Sequence, residues 1–321
     1  MQRVVAILGA PRSGTSVLAK ALQTLGVELG ADFRQPTAQN PRGFFEDRHV
    51  FRVNSTLVNR LNLPKRRILL VEPEVWQQPS ILELQARSAE ELAARFREVP
   101  LWGFKDARTL RFLPFWLGVF ERMNVKASFA VAVRNPLSVI HSRAEVNQRK
   151  WAARSFTFDR YELEWLVYTV PFLSLLSTRQ FIVVDFDRMM ADPTRELIRL
   201  AWGLELPVGP TQRRRLASFE RGFLDARLRH NAFTPQDLVE SRRLSCLTRR
   251  AYELLHGLSA EEWAREDPAF WNEWGDVETM LASMAPALRY ASYLEEKLRL
   301  SQWNPLSPLQ LLLQRRRAAT W

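Results

Sequence analysis

The segment Gly9-Ala10-Pro11-Arg12-Ser13-Gly14-Thr15-Ser16 stands directly between a β-branched apolar run at residues 4–8 and a stretch of helical composition at 15–25. Its glycines permit turn conformations and close backbone approach to a ligand. A strand, a glycine loop and a helix in that order bring backbone N–H groups and a helix N-terminus to one place, which makes an anion site. Thr15 and Ser16 add hydroxyl donors. The spacing matches G-x-x-x-x-G-K-[ST] except that Thr15 stands where the lysine would be. That lysine neutralises the β- and γ-phosphates of a nucleoside triphosphate, so its absence argues against an ordinary NTPase. The cation has moved inside the loop, to Arg12.

Further short apolar runs fall at 101–104, 128–133 and 181–184, and another is expected at 68–71. Helical composition covers 136–149, 163–176 and 193–202, the last opened by Asp192 as a cap with Pro193 in the first helical position. This alternation predicts an α/β protein, a P-loop-like three-layer fold around a central parallel sheet. Beyond about residue 210 the strand signals stop, and 213–228, 247–255 and 280–300 read as helices. With no repeat and no low-complexity linker, one domain is expected over residues 1–321. Its core covers about 1–210, followed by a helical C-terminal extension at about 211–321.

Hydrophobic residues at 46% and charged residues at 25% exclude disorder as the whole answer. The net charge of +11 admits an anionic partner, yet only six of the 46 basic residues are lysine. GC-rich codon usage explains that skew as readily as selection does. A single cysteine, Cys246, excludes an intramolecular disulfide and any multi-cysteine metal site. None of His49, His141, His230 and His256 stands at metal-ligand spacing, so no metal is expected. The chain runs straight into its first strand and has no window of about 20 apolar residues, so a soluble cytoplasmic protein is expected. The tail at 309–313, followed by Arg315, Arg316 and Arg317, reads as a packed helix with a solvated basic end or as a peripheral membrane contact.

Residues Pro11 to Thr15, P-R-S-G-T after a first strand, resemble the 5′-phosphosulfate loop of sulfotransferases, enzymes that use 3′-phosphoadenosine 5′-phosphosulfate (PAPS). The arginine version is similar to that of the tyrosylprotein branch and many bacterial members. A second segment places Arg134 at the C-terminal edge of a strand and Ser142 about two turns into the next helix, where open α/β sheets bind ligands. Arginine supplies a forked set of charged donors to phosphate, and serine a hydroxyl; the spacing resembles the family's 3′-phosphate motif. Gly103-Phe104-Lys105-Asp106-Ala107-Arg108-Thr109 resembles the K-D-P element of the tyrosylprotein branch, with Ala107 in the proline position. A surface salt bridge from Lys105 to Asp106 is the competing reading. Asn40-Pro41-Arg42-Gly43-Phe44-Phe45-Glu46-Asp47 resembles the N-P-x-G-[FY]-[FW]-E stretch of bacterial sulfotransferases. Glu46, beside two aromatics, is the candidate base, with Asp47 and His49 as rivals in the same loop. The R-K-G-x-x-G-x-W element and the catalytic histidine of the cytosolic branch have no match, and the likeness covers roughly the first 200 residues.

The resemblance implies transfer of a sulfuryl group from PAPS to a hydroxyl, or less readily an amine, leaving adenosine 3′,5′-bisphosphate. Pro11, Arg12, Ser13, Gly14, Thr15 and Ser16 would hold the 5′-phosphate, and Arg134 and Ser142 the 3′-phosphate. Arg12 and Lys105 would stabilise charge on the leaving group, so the scheme calls for no metal, and Glu46 would accept the proton. Phe44, Phe45, Trp102 and Trp151 line an acceptor pocket or belong to the core. The acceptor is expected to be a small molecule, a glycan or a lipid, and nucleic acid is not expected. Two other classes fit parts of the sequence. A small-molecule kinase using ATP and magnesium would need the missing lysine and a D-x-x-G partner. A non-catalytic polyanion-binding protein would use the arginine surface, without a recognisable nucleic-acid-binding motif.

Overall fold

Each of the four strongest apolar runs carries apolar side chains on both faces and must be covered twice, as in a parallel sheet. In the computed structural model they form β1 (Arg3–Leu8), β2 (Leu101–Lys105), β3 (Lys126–Val133) and β4 (Gln180–Asp185). The order is β2-β1-β3-β4 and every pair is parallel. The structure describes residues 1–35, 43–63, 68–150, 157–210, 212, 215, 219, 222–224 and 231–303. Register places Ile7 beside both Lys105 and Ala130, and Val133 beside Asp185. Parallel pairing therefore gathers all four C-terminal strand ends at one edge. The chain turns to opposite sides of β1 to build β2 and β3, so the ends of β1 and β3 form the switch point at which open parallel sheets commonly bind ligands.

The helices are α1 (Thr15–Thr24), α2 (Arg48–Arg60), α3 (Pro79–Arg95), α4 (Leu113–Met123), α5 (Pro136–Lys150) and α6 (Phe158–Thr169). After β4 come α7 (Phe186–Ala191), α8 (Pro193–Gly203), α9 (Pro235–Glu240), α10 (Cys246–Ala260), α11 (Pro268–Ser283) and α12 (Ala285–Trp303). Alternate residues of the strands feed two buried clusters. Val5, Ile7, Ala130 and Ala132 meet α1 and α8 on one face. Val4, Ala6, Leu8, Phe129 and Val131 meet α2 to α6 on the other, and Leu255, Trp274, Leu281 and Leu288 of the C-terminal helices join that same cluster.

Residues 68–71 are not a strand. Ile68 and Val71 are buried, but the Leu69 carbonyl is taken by the Arg111 side chain at 2.7 Å rather than by a ladder. The helix expected at 163–176 starts earlier, where the Thr157 side chain accepts from the Arg160 N–H. It ends at Thr169, and Phe172 in the left-handed region (φ 66°) separates it from a 3-10 turn at Leu173–Leu176. The pattern at 280–300 is two helices meeting at Met284. Asp192 does cap α8, accepting from Arg195. Most of 213–228, and all of the 309–317 tail, lie outside the described residues. Among the described residues no helix is long and apolar enough to cross a membrane.

Phe104 of β2 is 2% exposed and lies 6.2, 4.7 and 6.1 Å from the rings of Trp102, Trp116 and Phe120. Phe104→Ala is expected to lower stability by about 3–5 kcal/mol in denaturant unfolding. A loss below about 1 kcal/mol would contradict this packing.

Candidate active site

The glycine loop leaves β1 at Gly9, whose φ is 136°; a Cβ there would lie 2.5 Å from the Ala132 carbonyl oxygen of β3. Gly14, at φ 88°, precedes α1, and a Cβ on it would lie 2.5 Å from the Phe186 ring. No side chain caps α1, so the first amides of the helix face the loop. Between the glycines Pro11 and Arg12 make the turn, with Arg12 itself left-handed at φ 76°, a conformation that non-glycine residues adopt at a cost. Ser13 and Thr15 are buried. The Ser13 N–H closes the turn on the Ala10 carbonyl at 3.1 Å.

Arg12 spans from this loop to α5, where its Nε donates to Ser142 Oγ at 3.0 Å. Burial holds the Arg12 guanidinium below its usual range, and the charge of Arg143 adds to the effect against a smaller opposing pull from Glu145. Such a site gains from a bound anion. Arg134 follows β3 and is buried, with its guanidinium 4.6 Å from the Phe186 ring centroid and Nη2 donating to the Asn231 carbonyl. Residues 231–234 are held beside it: Asn135 donates to the Phe233 and Thr234 carbonyls at 3.3 and 3.0 Å, and Ser138 Oγ accepts from the Phe233 N–H at 3.1 Å.

On the other side of the loop, β2 delivers Lys105, which is 3% exposed. Its Nζ donates to Glu46 Oε1 at 2.9 Å and to the Phe44 carbonyl at 3.0 Å. It does not pair with Asp106. That carboxylate is gripped by Arg108, through Nε at 2.9 Å, Nη2 at 2.5 Å and the backbone N–H at 2.8 Å. The Phe44 carbonyl also accepts from Ser16 Oγ at 3.4 Å, so one backbone oxygen ties the start of α1 after the glycine loop, the lysine and the carboxylate segment together. Glu46 Oε2 accepts from Arg34, whose guanidinium lies 5.1 and 4.2 Å from the Phe44 and Phe51 rings. A short antiparallel pairing sets this register, with Arg34 N–H to Glu46 O and Arg48 N–H to Asp32 O both at 2.9 Å.

Geometry separates Glu46 from its two rivals. Asp47 caps α2, accepting from the His49 and Val50 amides at 2.9 and 3.1 Å, and both its oxygens meet Arg95. His49 turns to Glu91 at 3.3 Å, and burial holds its pKa below the ordinary imidazole value. Glu46 alone of the three touches Lys105. Of the aromatics, Phe44 packs under Arg34, whereas Phe45 turns away to Phe33 and Phe223, both at 5.9 Å. Trp102 belongs to the core, stacked 4.3 Å from Phe96. Trp151 and residues 40–42 lie outside the described residues. Arg34 and Phe186 escaped the sequence reading: neither belongs to a motif, and each reaches the site through a tertiary contact.

No protein-family model matches this chain, and no curated protein does. Solved structures are similar to it, three of them sulfotransferases or sulfotransferase domains. The sulfotransferase domain of the Synechococcus PCC 7002 olefin synthase is 16% identical at a TM-score of 0.41, over 88% of this chain and 94% of that one. The sulfotransferase domain of the curacin biosynthetic pathway is 14% identical at 0.41, over 88% and 98%. A sulfotransferase of Mycobacterium tuberculosis is 13% identical at 0.43, over 72% and 76%.

Removing one member of a buried ion pair strands its partner. Lys105→Met is expected to cost about 3 kcal/mol of stability, with Glu46→Gln in the same background costing far less than it does alone. A double-mutant cycle measured by denaturation checks this, and additive effects would mean that the two groups do not meet.

Proposed function

We propose that this chain is a sulfotransferase that takes PAPS as donor and a hydroxyl, or less readily an amine, of a small molecule, glycan or lipid as acceptor. The observation that carries the reading is the Arg12–Ser142 hydrogen bond. It joins the residues expected to hold the donor's two phosphate ends, and the partly desolvated Arg12 guanidinium, with Arg143 near it, favours a bound anion. The Lys105–Glu46 contact adds a cation and a carboxylate next to the same loop.

The donor supplies a sulfuryl group bonded to a 5′-phosphate oxygen. Gly14, Thr15 and Ser16 at the start of α1, with Arg12, would bind that phosphate. Arg134 and Ser142 would bind the 3′-phosphate, the group that distinguishes this donor from ATP. Transfer of this kind passes through a loose, in-line transition state, so the protein positions groups and stabilises charge. Lys105 would meet the charge that builds on the phosphate oxygen as its bond to sulfur breaks. Glu46 would take the acceptor's proton as the new oxygen–sulfur bond forms. Arg34 and Lys105 grip opposite oxygens of Glu46 and fix its orientation for that task.

Release of adenosine 3′,5′-bisphosphate from PAPS in the presence of a panel of hydroxyl acceptors tests the reading. Glu46→Gln is expected to lower kcat by about 100-fold or more while leaving the donor KM nearly unchanged. Turnover close to that of the unaltered chain would remove Glu46 as the base.

A further inference from the structure

Tyr252, His256 and Ser259 lie on one stripe of α10, and all three meet the end of β4. Asp185, the last residue of that strand, is fully buried. Its Oδ1 accepts from the Asp187 and Arg188 amides at 2.7 and 3.3 Å, which caps α7. Its Oδ2 is not needed for the cap and instead takes the Tyr252 hydroxyl at 3.0 Å and His256 Nδ1 at 3.2 Å. The Asp185 N–H donates to Ser259 Oγ at 3.0 Å. The next residue, Phe186, presses its ring against Gly14 and carries the Arg134 guanidinium 4.6 Å from its centroid. One aromatic ring thus separates the loop assigned to the 5′-phosphate from the arginine assigned to the 3′-phosphate, and a carboxylate held from α10 fixes where it stands.

We propose that Asp185, Tyr252 and His256 act as positioning residues that set Phe186 between Gly14 and Arg134, and that protonation of His256 strengthens binding of the donor's 3′-phosphate end. This rests on the donor reading given above. His256 is half-buried, so its imidazole exchanges protons with solvent while facing a buried carboxylate. Asp185 from β4 and Glu262 beyond α10 favour the charged imidazole, whereas burial and Arg188 of α7 oppose it; the hydrogen bond to Asp185 is the largest effect and holds the pKa above 6.5. Tyr252 stays a neutral donor, because burial and Asp185 both push its pKa up. The His256–Asp185 ion pair is therefore complete below the ordinary imidazole value and is lost as pH rises through the raised one. Its loss removes one of the two side chains that hold the Asp185 Oδ2 and loosens the corner that holds Phe186.

Calorimetric titration of the full chain with adenosine 3′,5′-bisphosphate, from about pH 6 to about pH 9, tests the proposal. His256→Asn places an amide nitrogen near the Nδ1 position, keeping a donor to Asp185 that does not titrate. The phosphate's own titration is common to both proteins. Across the window the unaltered chain is expected to lose about three- to tenfold more affinity than His256→Asn, a coupling of up to one pKa unit. Tyr252→Phe is expected to weaken binding at every pH while keeping the slope of the unaltered chain. Parallel pH profiles for the unaltered chain and His256→Asn would overturn the proposal, as would full affinity in Tyr252→Phe. Failure of the bisphosphate to bind the unaltered chain at any pH would overturn the donor reading, and this proposal with it.

Discussion

The site depends on the parallel placement of β1 between β2 and β3. Because every strand runs the same way, Lys105, the Gly9–Gly14 loop, Arg134 and Asp185 end up along one sheet edge in the order of the strands. Neighbouring strands stand about 4.8 Å apart, so β2 and β4 are separated by about 14 Å across the sheet. That row has a direction. A cation and a carboxylate mark one end, and the loop occupies the centre. The arginine and its aromatic support mark the other end. A molecule with anionic groups at both ends and in the middle would lie along it.

Two features of this edge go against folding and call for a functional explanation. Lys105, Arg134 and Glu46 are all buried, and burying charge costs more than most pairings return. Left-handed backbone at Arg12, within the loop, and at Phe45, in the carboxylate segment, adds strain. The surrounding structure offsets both. The Phe44 carbonyl collects Lys105 and Ser16, the 32–34 pairing with 46–48 holds Glu46 and Arg34 together, and β4 with α10 braces Phe186.

The strands were legible because their apolar side chains alternate over two covered faces, and the loop because glycine is required at Gly9 and Gly14. Lys105 and Arg134 stood out since each closes a strand. What escaped detection depends on contacts between residues far apart in the chain. Arg34 meets Glu46 only through a short pairing of two otherwise irregular segments. Asp185 meets Tyr252 and His256 across 67 and 71 residues. The apolar run at 68–71 had strand composition but found a side-chain donor instead of a ladder. Asp47 and His49 looked equivalent to Glu46 until helix capping and Arg95 claimed the one and Glu91 the other.

The most direct test is equilibrium competition between adenosine 3′,5′-bisphosphate, ADP, and ATP with magnesium for the full chain. If Arg12, Arg134 and Ser142 hold a nucleotide phosphorylated at both ends, the bisphosphate binds tightest and Arg134→Ala abolishes that preference. Preference for ATP with magnesium, or a bisphosphate affinity unchanged in Arg134→Ala, would contradict it.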